Sequence, residues 1–421
     1  MLVRMDSAAP ARPAPRLRMR VSSTAESIVR GGHPWVYSDS IRDQNREGTA
    51  GELAIIYDRN DRFLAVGLYD PDSPIRVRVL HSGKPATLDE TWWRTRLQTA
   101  LALRTPELIG PNTNGYRCIN GEGDGWPGLV LDRYADRCVL KVYSASWLPH
   151  LPLVSKLIHE ALRPAQLVFR MSRNMEADAA RMGVADATVL DEHGVASAPL
   201  ASSDSDRVVF EESGIRFEAD VFRGQKTGFF LDQRENRRRV GQLSPGRDVL
   251  NAFSFSGGFS LYAATAGARS VLDLDLSAHA LESGERNFAL NHSNAAVAAC
   301  QYDQVQGDAF GWLADSPPRE FDVVVVDPPS LAKREVERER AIEAYGRLAS
   351  SAIRRVRPGG VLVSASCSAH VSEEEFFTAV RTAARTSRRP FTEIATTGPA
   401  GDHPPRIPEL RYLKAIYLSL S

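Results

Sequence analysis

The rhythm of hydrophobic and polar positions changes twice along the chain. From about Leu17 to Leu80 the apolar residues come in short runs: GELAIIYD and RFLAVGLYD, separated by the turn RND, and then PIRVRVL (Pro74–Leu80), which alternates apolar residues with Arg. Period-two alternation in short runs predicts strands. Residues 18–90 therefore read as a small β-barrel-like domain. The last of these strands carries Arg76 and Arg78 on one face, a candidate basic surface. Thr91–Leu108 follows a helical pattern, with Trp92, Trp93, Leu97, Leu101 and Leu103 set among Arg and Gln. Asn112–Tyr143 is dense in Gly and β-formers and predicts hairpins. A helix near Leu151–Leu162 and a strand at Leu167–Met171 complete a small α+β unit over 91–204.

Beyond about residue 205, apolar strands alternate with helical stretches. RDVLNAFS, SVLDLDLS, VQGDAF, FDVVVVDPP and GGVLVSASCS are the strands, with a long charged helix from Arg334 to Val356 before the last. Near-continuous Val and Leu strands in β-α-β order predict a parallel, doubly wound α/β sheet over 205–421. Residues 1–17, rich in Ala, Pro and Arg, read as a flexible arm.

Length agrees with this division, since 421 residues exceed one ordinary core. No apolar run reaches the ~18 residues of a membrane span. The N-terminus has Arg but no apolar stretch after it, so no secretory signal is predicted. Formal charge is zero, from 52 basic and 52 acidic residues, which argues against a large nonspecific nucleic-acid binder. Cys118, Cys138, Cys300 and Cys367 form no C-x-x-C pair and have no His at zinc-ligand spacing. The expectation is free thiols in a reducing cytoplasm, with no metal.

Five places carry chemistry. In DVLNAFSFSGGFSLY (Asp248–Tyr262) a buried strand enters a glycine turn and then a helix. Such a turn lets backbone approach a ligand, and Asn251, Phe253, Ser256 and Gly257 are its candidate contacts; a generic β-to-α turn is the competing reading. Asp275 ends the next strand, about 20 positions on, where an acid suits ribose hydroxyls. Asp273 competes for that role, and a surface acid or a helix N-cap before Ser277 is the competing reading of Asp275. Asp308 in GDAF fits either an adenine contact or a helix N-cap. Asp327 and Pro328 follow four consecutive Val, so the acid emerges at the mouth of a crevice stiffened by two prolines. Cys367 closes the last strand of the series. As a neighbour of the Asp327 strand it would reach the same crevice, although free Cys is a frequent core residue.

These residues, with GHPWVYSDSI (32–41), NGEGDGWPGLVLDRY (120–134), GQKTGFFLDQRENR (224–237), VVDPPS (325–330), SASCS (364–368), DHP (402–404) and LRYLK (410–414), resemble the RlmI-type branch of class I methyltransferases, which modify carbon 5 of cytosine in 23S ribosomal RNA. The resemblance spans nearly the whole chain after the arm. It implies an N-terminal PUA domain, a central α+β domain and a Rossmann-like domain that binds S-adenosylmethionine. It implies that Asn251, Asp275, Asp308 and Asp327 lie on the cofactor side, that Cys367 is the nucleophile, and that Lys226, Asp232, Gln233 and Arg234 border the active site. The pair Asp273 and Asp275 departs from the pattern, which needs one acid.

The chemistry implied is thiolate attack by Cys367 on ring carbon 6, which makes carbon 5 nucleophilic. The site is expected to favour thiolate. Asp327, if it keeps a proton, donates to ring nitrogen 3. The expected partner is ribosomal RNA, with a homodimer compatible and no membrane contact. Competing readings are methylation of uracil carbon 5, methylation of a guanine nitrogen, and a non-catalytic assembly factor.

Overall fold

The computed structural model describes residues 15–197, 207–315, 317 and 319–421. Most of the arm expected at 1–17, and the boundary expected at 204/205, lie outside the described residues.

The N-terminal sheet has six strands, in the spatial order Trp35–Tyr37, Ile75–Ser82, Phe63–Tyr69, Leu53–Tyr57, Leu17–Val21, Ile41–Gln44. Leu17–Val21 and Leu53–Tyr57 pair in parallel, and the other neighbours are antiparallel. The helix Ser23–Arg30 is capped by Ser22, whose Oγ accepts from the Ala25 amide, and it buries Ala25 and Val29 against the sheet.

The central unit is a second six-stranded sheet. Gly115–Asn120, Leu129–Tyr134 and Arg137–Val142 form an antiparallel meander. The helix Leu151–Leu162 then carries the chain across to Gln166–Met171, parallel to the last of these. The helix Glu90–Ala102 packs Trp93 against the stacked pair Trp126 and Trp147, with ring centroids 5.1 and 5.7 Å away.

A hairpin, Arg207–Glu212 with Ile215–Asp220, joins this unit to the C-terminal sheet. Its Phe210 ring lies 5.1 Å from both Tyr134 and Phe229. Gly115 makes room: a Cβ there would stand 2.1 Å from Phe210.

In the C-terminal sheet β1 is Asp248–Ala252, β2 Ser270–Asp275, β3 Gln301–Gln306, β4 Phe321–Val326, β5 Val356–Ser366, β6 Phe391–Thr397 and β7 Lys414–Leu420. The spatial order is β3-β2-β1-β4-β5-β7-β6, with β7 antiparallel to both neighbours. The order reverses between β1 and β4, and ligands of such sheets bind beyond the carboxyl ends of the strands at that point. The predicted charged helix is shorter than expected: a single turn at Glu335–Glu337 precedes the helix Arg338–Ile353. The strand after it begins at Val356, ahead of the glycine pair, because Val356 already pairs with Phe321.

Candidate active site

The loop leaving β1 is conformationally demanding. Phe253 (φ 62°), Phe255 (φ 49°) and Gly257 (φ 72°) all lie in the left-handed region. Such φ values are uncommon for residues other than glycine and persist where the surroundings enforce them. Asp275 enforces this one. Its Oδ2 accepts from the Phe255 amide at 2.9 Å and its Oδ1 from the Ser277 amide at 2.9 Å. Edge-to-face contacts pin the two rings, Phe253 on Phe310 at 5.5 Å and Phe255 on Phe230 at 5.0 Å.

The two acids differ in position. Asp273 is fully buried beneath the loop and accepts from Asn251 Nδ2 (3.0 Å), Ser260 Oγ (2.5 Å) and the Tyr302 hydroxyl (3.1 Å). Burial pushes its carboxyl up to about 7. Gly257 fits because a Cβ there would stand 2.8 Å from Asp273 Oδ2. Asp273 is thus a support for the loop, and Asp275, half-buried at the strand end, is the acid at the rim. Asn251 Oδ1, Ser254 Oγ and Ser256 Oγ are buried with no hydrogen-bond partner. Unpaired acceptors and hydroxyls grouped beside a left-handed turn are what a polar ligand would satisfy. Asp308 is exposed and caps the helix Ala309–Asp315 by accepting from the Gly311 amide at 2.9 Å.

Asp327 and Cys367 emerge at the ends of β4 and β5, which are parallel and in register (Val326 opposite Ser364). The Cys367 thiol lies 4.0 Å from the Pro328 carbonyl. Gln233 Nε2 donates to Asp327 Oδ2 at 2.7 Å. Burial, reinforced by the charge of Asp232, pushes the Asp327 carboxyl up to about 7 although the Gln233 bond works the other way. Burial and Asp327 push the Cys367 thiol up to about 11, against the pull of Lys226 and Lys414. This corrects one expectation: the site as it stands favours thiol, not thiolate.

Lys226 and Asp232 form the opposite wall. Lys226 Nζ donates to Asp232 Oδ2 at 2.6 Å and lies 4.7 Å from the Phe230 ring centroid and 5.4 Å from that of Tyr412. The Tyr412 hydroxyl donates to the same carboxylate oxygen at 2.7 Å. Burial alone would raise the Asp232 pKa, but Lys226 and His403 hold it well below the usual carboxylate range.

Three sequence expectations change. Arg234 is fully buried, with Nη1 and Nη2 on the Asp402 carboxylate at 3.1 and 2.9 Å, so it clamps the start of the helix Arg234–Leu243 to the Asp402 loop and offers nothing to a substrate. Arg78 is buried too, 3.6 Å from Asp70 with Nη1 on the Ile75 carbonyl, so the strand has no exposed basic face there. Arg76 is half-buried, with Nη1 on the Asp70 carbonyl. Alternation placed both arginines on one face correctly, but that face turns inward.

Sequence reasoning missed Lys414 as a separate chemical group. It is fully buried at the start of β7, opposite Ser366. Its Nζ donates to the Ser368 carbonyl at 2.5 Å and to the Val371 carbonyl, fixing the turn that carries Cys367. Burial pulls its pKa down to about 8 while Cys367 and Glu373 oppose the shift. A lysine opening the apolar strand KAIYLSL was the available signal. Also missed was the brace from the central sheet. Asp132 takes both Arg117 and the Thr227 hydroxyl (2.6 Å), Lys141 Nζ donates to the Lys226 carbonyl at 2.8 Å, and the Arg117 amide donates to Asp402 at 2.9 Å.

Strand order, the strained loop after β1 and the acid ending β2 define the class I methyltransferase fold. Residues 189–406 match the family described as S-adenosylmethionine-dependent methyltransferase, and residues 19–82 match the PUA-like domain. The ribosomal RNA large subunit methyltransferase of Deinococcus radiodurans is 55% identical over 419 residues, covering 98% of this chain and 99% of its own. Ribosomal RNA large subunit methyltransferase I of Aeromonas salmonicida is 33% identical, covering 94% and 97%. A crystal structure of a protein complexed with SAH, S-adenosylhomocysteine, superposes with a TM-score of 0.77 at 20% identity, over 96% of this chain and 99% of that one. The chain belongs to the S-adenosylmethionine-dependent methyltransferase family, in the branch with a PUA-like domain in front that these ribosomal RNA large subunit methyltransferases share. Its cofactor is S-adenosylmethionine. Among the described residues, no helix is long and apolar enough to cross a membrane.

Proposed function

We propose that this chain methylates carbon 5 of a cytosine in ribosomal RNA of the large subunit, the 23S molecule, through a transient bond between Cys367 and ring carbon 6. The observation that carries this reading is a thiol and a proton-holding carboxyl at the ends of adjacent strands, beside the cofactor loop. The names of the relatives support the RNA substrate.

The donor set around β1 and β2 fits S-adenosylmethionine. Asn251 Oδ1 and the Ser254 and Ser256 hydroxyls bring unpaired polar atoms to the left-handed Phe253–Gly257 turn, Asp275 brings a carboxylate to the rim for ribose hydroxyls, and Asp308 and Pro328 follow the ends of β3 and β4 in the same sheet. When bound, the cofactor supplies an electrophilic methyl group.

The protein's task is to make carbon 5 a nucleophile. Near neutral pH Asp327 is close to half-ionised and Cys367 keeps its proton. As carboxylate, Asp327 takes the thiol proton while sulfur bonds to carbon 6. It then passes that proton to ring nitrogen 3, and the electrons of the 5,6 double bond collect on carbon 5. Lys414 faces the developing thiolate with a positive charge. After methylation a base, Asp327 or water, removes the carbon 5 proton. The carbon–sulfur bond breaks, the aromatic ring returns, and the nitrogen 3 proton passes back through Asp327 to the departing thiolate. Cytosine is favoured over uracil because its nitrogen 3 accepts the proton that Asp327 holds, whereas uracil nitrogen 3 already carries a hydrogen.

The test is trapping. RNA containing 5-fluorocytidine has no removable proton at carbon 5, so it is expected to remain bonded to the enzyme and to Cys367 in a digest. Enzyme that methylates RNA but never traps refutes the covalent route. Nucleoside mass spectrometry showing new 5-methyluridine instead of 5-methylcytidine refutes the base assignment.

A further inference from the structure

Tyr143 directly follows the central strand Arg137–Val142 and is 42% exposed, a large exposure for an aromatic residue. Burial also pushes its hydroxyl pKa up, so part of the side chain is shielded and part lies open. Contacts lead from it into the active site. Lys141 Nζ lies 5.7 Å from the Tyr143 ring centroid and donates to the Lys226 carbonyl. Lys226 reaches Tyr412 and Asp232, and Gln233, the next residue, holds Asp327.

We propose that Tyr143 is the stacking platform for the nucleobase next to the target in a single-stranded stretch of the RNA, with Lys141 holding the adjoining phosphate. This rests on the RNA reading above. Extracting the target base leaves its neighbour without a stacking partner, and an open aromatic ring beside the crevice replaces it. Lys141 spends one of its three donors on the Lys226 carbonyl, leaving two for phosphate oxygens. Alternating lysines and aromatic rings are the usual equipment for single strands, since every base has a π face whatever its sequence.

Loss of one stacked base corresponds to about 5- to 150-fold in affinity. Tyr143→Ala is expected to weaken binding of a short single-stranded oligoribonucleotide by that factor in fluorescence anisotropy, with Tyr143→Phe within twofold of wild type. With deproteinised 23S RNA as substrate, Tyr143→Ala is expected to raise KM for RNA while kcat and the KM for S-adenosylmethionine stay within twofold. The thermal midpoint should not move. Equal oligoribonucleotide affinity for wild type and Tyr143→Ala overturns the platform, whatever the methylation assay gives. Tyr143-dependent binding without any 5-methylcytidine sustains the platform and overturns only the base assignment.

Discussion

Arg234→Met tests whether the loop carrying Asp402 is held to the helix Arg234–Leu243 by a buried ion pair. Arg234 and Asp402 are both fully buried and share two hydrogen bonds, of 3.1 and 2.9 Å. Asp402 also accepts from the Arg117 amide and faces His403 Nδ1 at 3.1 Å. Removing the guanidinium strands a carboxylate on one amide and one imidazole. Breaking a buried pair costs about 3–5 kcal/mol, because the surviving charge cannot reach water. At about 2–4 °C per kcal/mol for a unit of this size, the transition containing the C-terminal sheet should fall by roughly 6–20 °C in calorimetry. The chain has several domains, so the shift of that transition is the quantity to compare. Arg234→Met with Asp402→Leu removes both charges and should recover more than about 1 kcal/mol.

The pH dependence has a definite sign. Burial would raise the Asp402 pKa, but His403 and Arg234 hold it well below the usual carboxylate range. A depressed folded pKa gives stability that is present above the unfolded value of about 3.9 and is lost as pH falls below it. The gap between wild type and Arg234→Met should therefore be full at pH 7 and shrink below about pH 4. A loss under about 1 kcal/mol at pH 7, or a double variant that simply sums the two single losses, would refute the reasoning.

Two further substitutions probe the site. Lys414→Met removes the cation beside Cys367 and leaves the Ser368 and Val371 carbonyls without their donor. Adduct formation with 5-fluorocytidine RNA is expected to slow at least tenfold and its pH profile to move to higher pH, and an unmoved profile would deny Lys414 any electrostatic part. Gly257→Ala puts a Cβ 2.8 Å from Asp273 Oδ2 at a φ of +72°. The left-handed backbone alone costs about 1–2 kcal/mol, so S-adenosylmethionine affinity by titration calorimetry should drop about tenfold, and an unchanged Kd would mean the loop does not cradle the cofactor.

Much of the fold was legible because the strands obey simple periods. Four consecutive Val before Asp327 could only be a central strand, and SVLDLDLS ends at Asp275 as expected. Parallel pairing then brought Asp327 and Cys367 together from local sequence alone. The failures share a cause. Arg78 looked like a substrate contact because charge normally faces water, and Arg234 because the resemblance puts its motif beside the active site, but each has a buried carboxylate partner far along the chain or across a turn. Asp402 lies 168 residues from Arg234, and no periodicity announces such a pairing. The thiol's raised pKa was hidden likewise, since it depends on how Asp327, Lys226 and Lys414 converge in space. The long helix at Arg334–Val356 was overextended because nothing in its composition marks where strand pairing takes over.

The tie between the middle sheet and the Lys226 turn has an engineering consequence. Thr227 hangs from Asp132, the Lys226 carbonyl from Lys141, and the Asp402 loop from the Arg117 amide. Excising the cofactor-binding part alone would leave the wall around Asp232 without its scaffold, and grafting it behind a foreign RNA-recognition module would do the same. Retargeting this enzyme is therefore a matter of altering surfaces on an intact three-part body rather than exchanging parts.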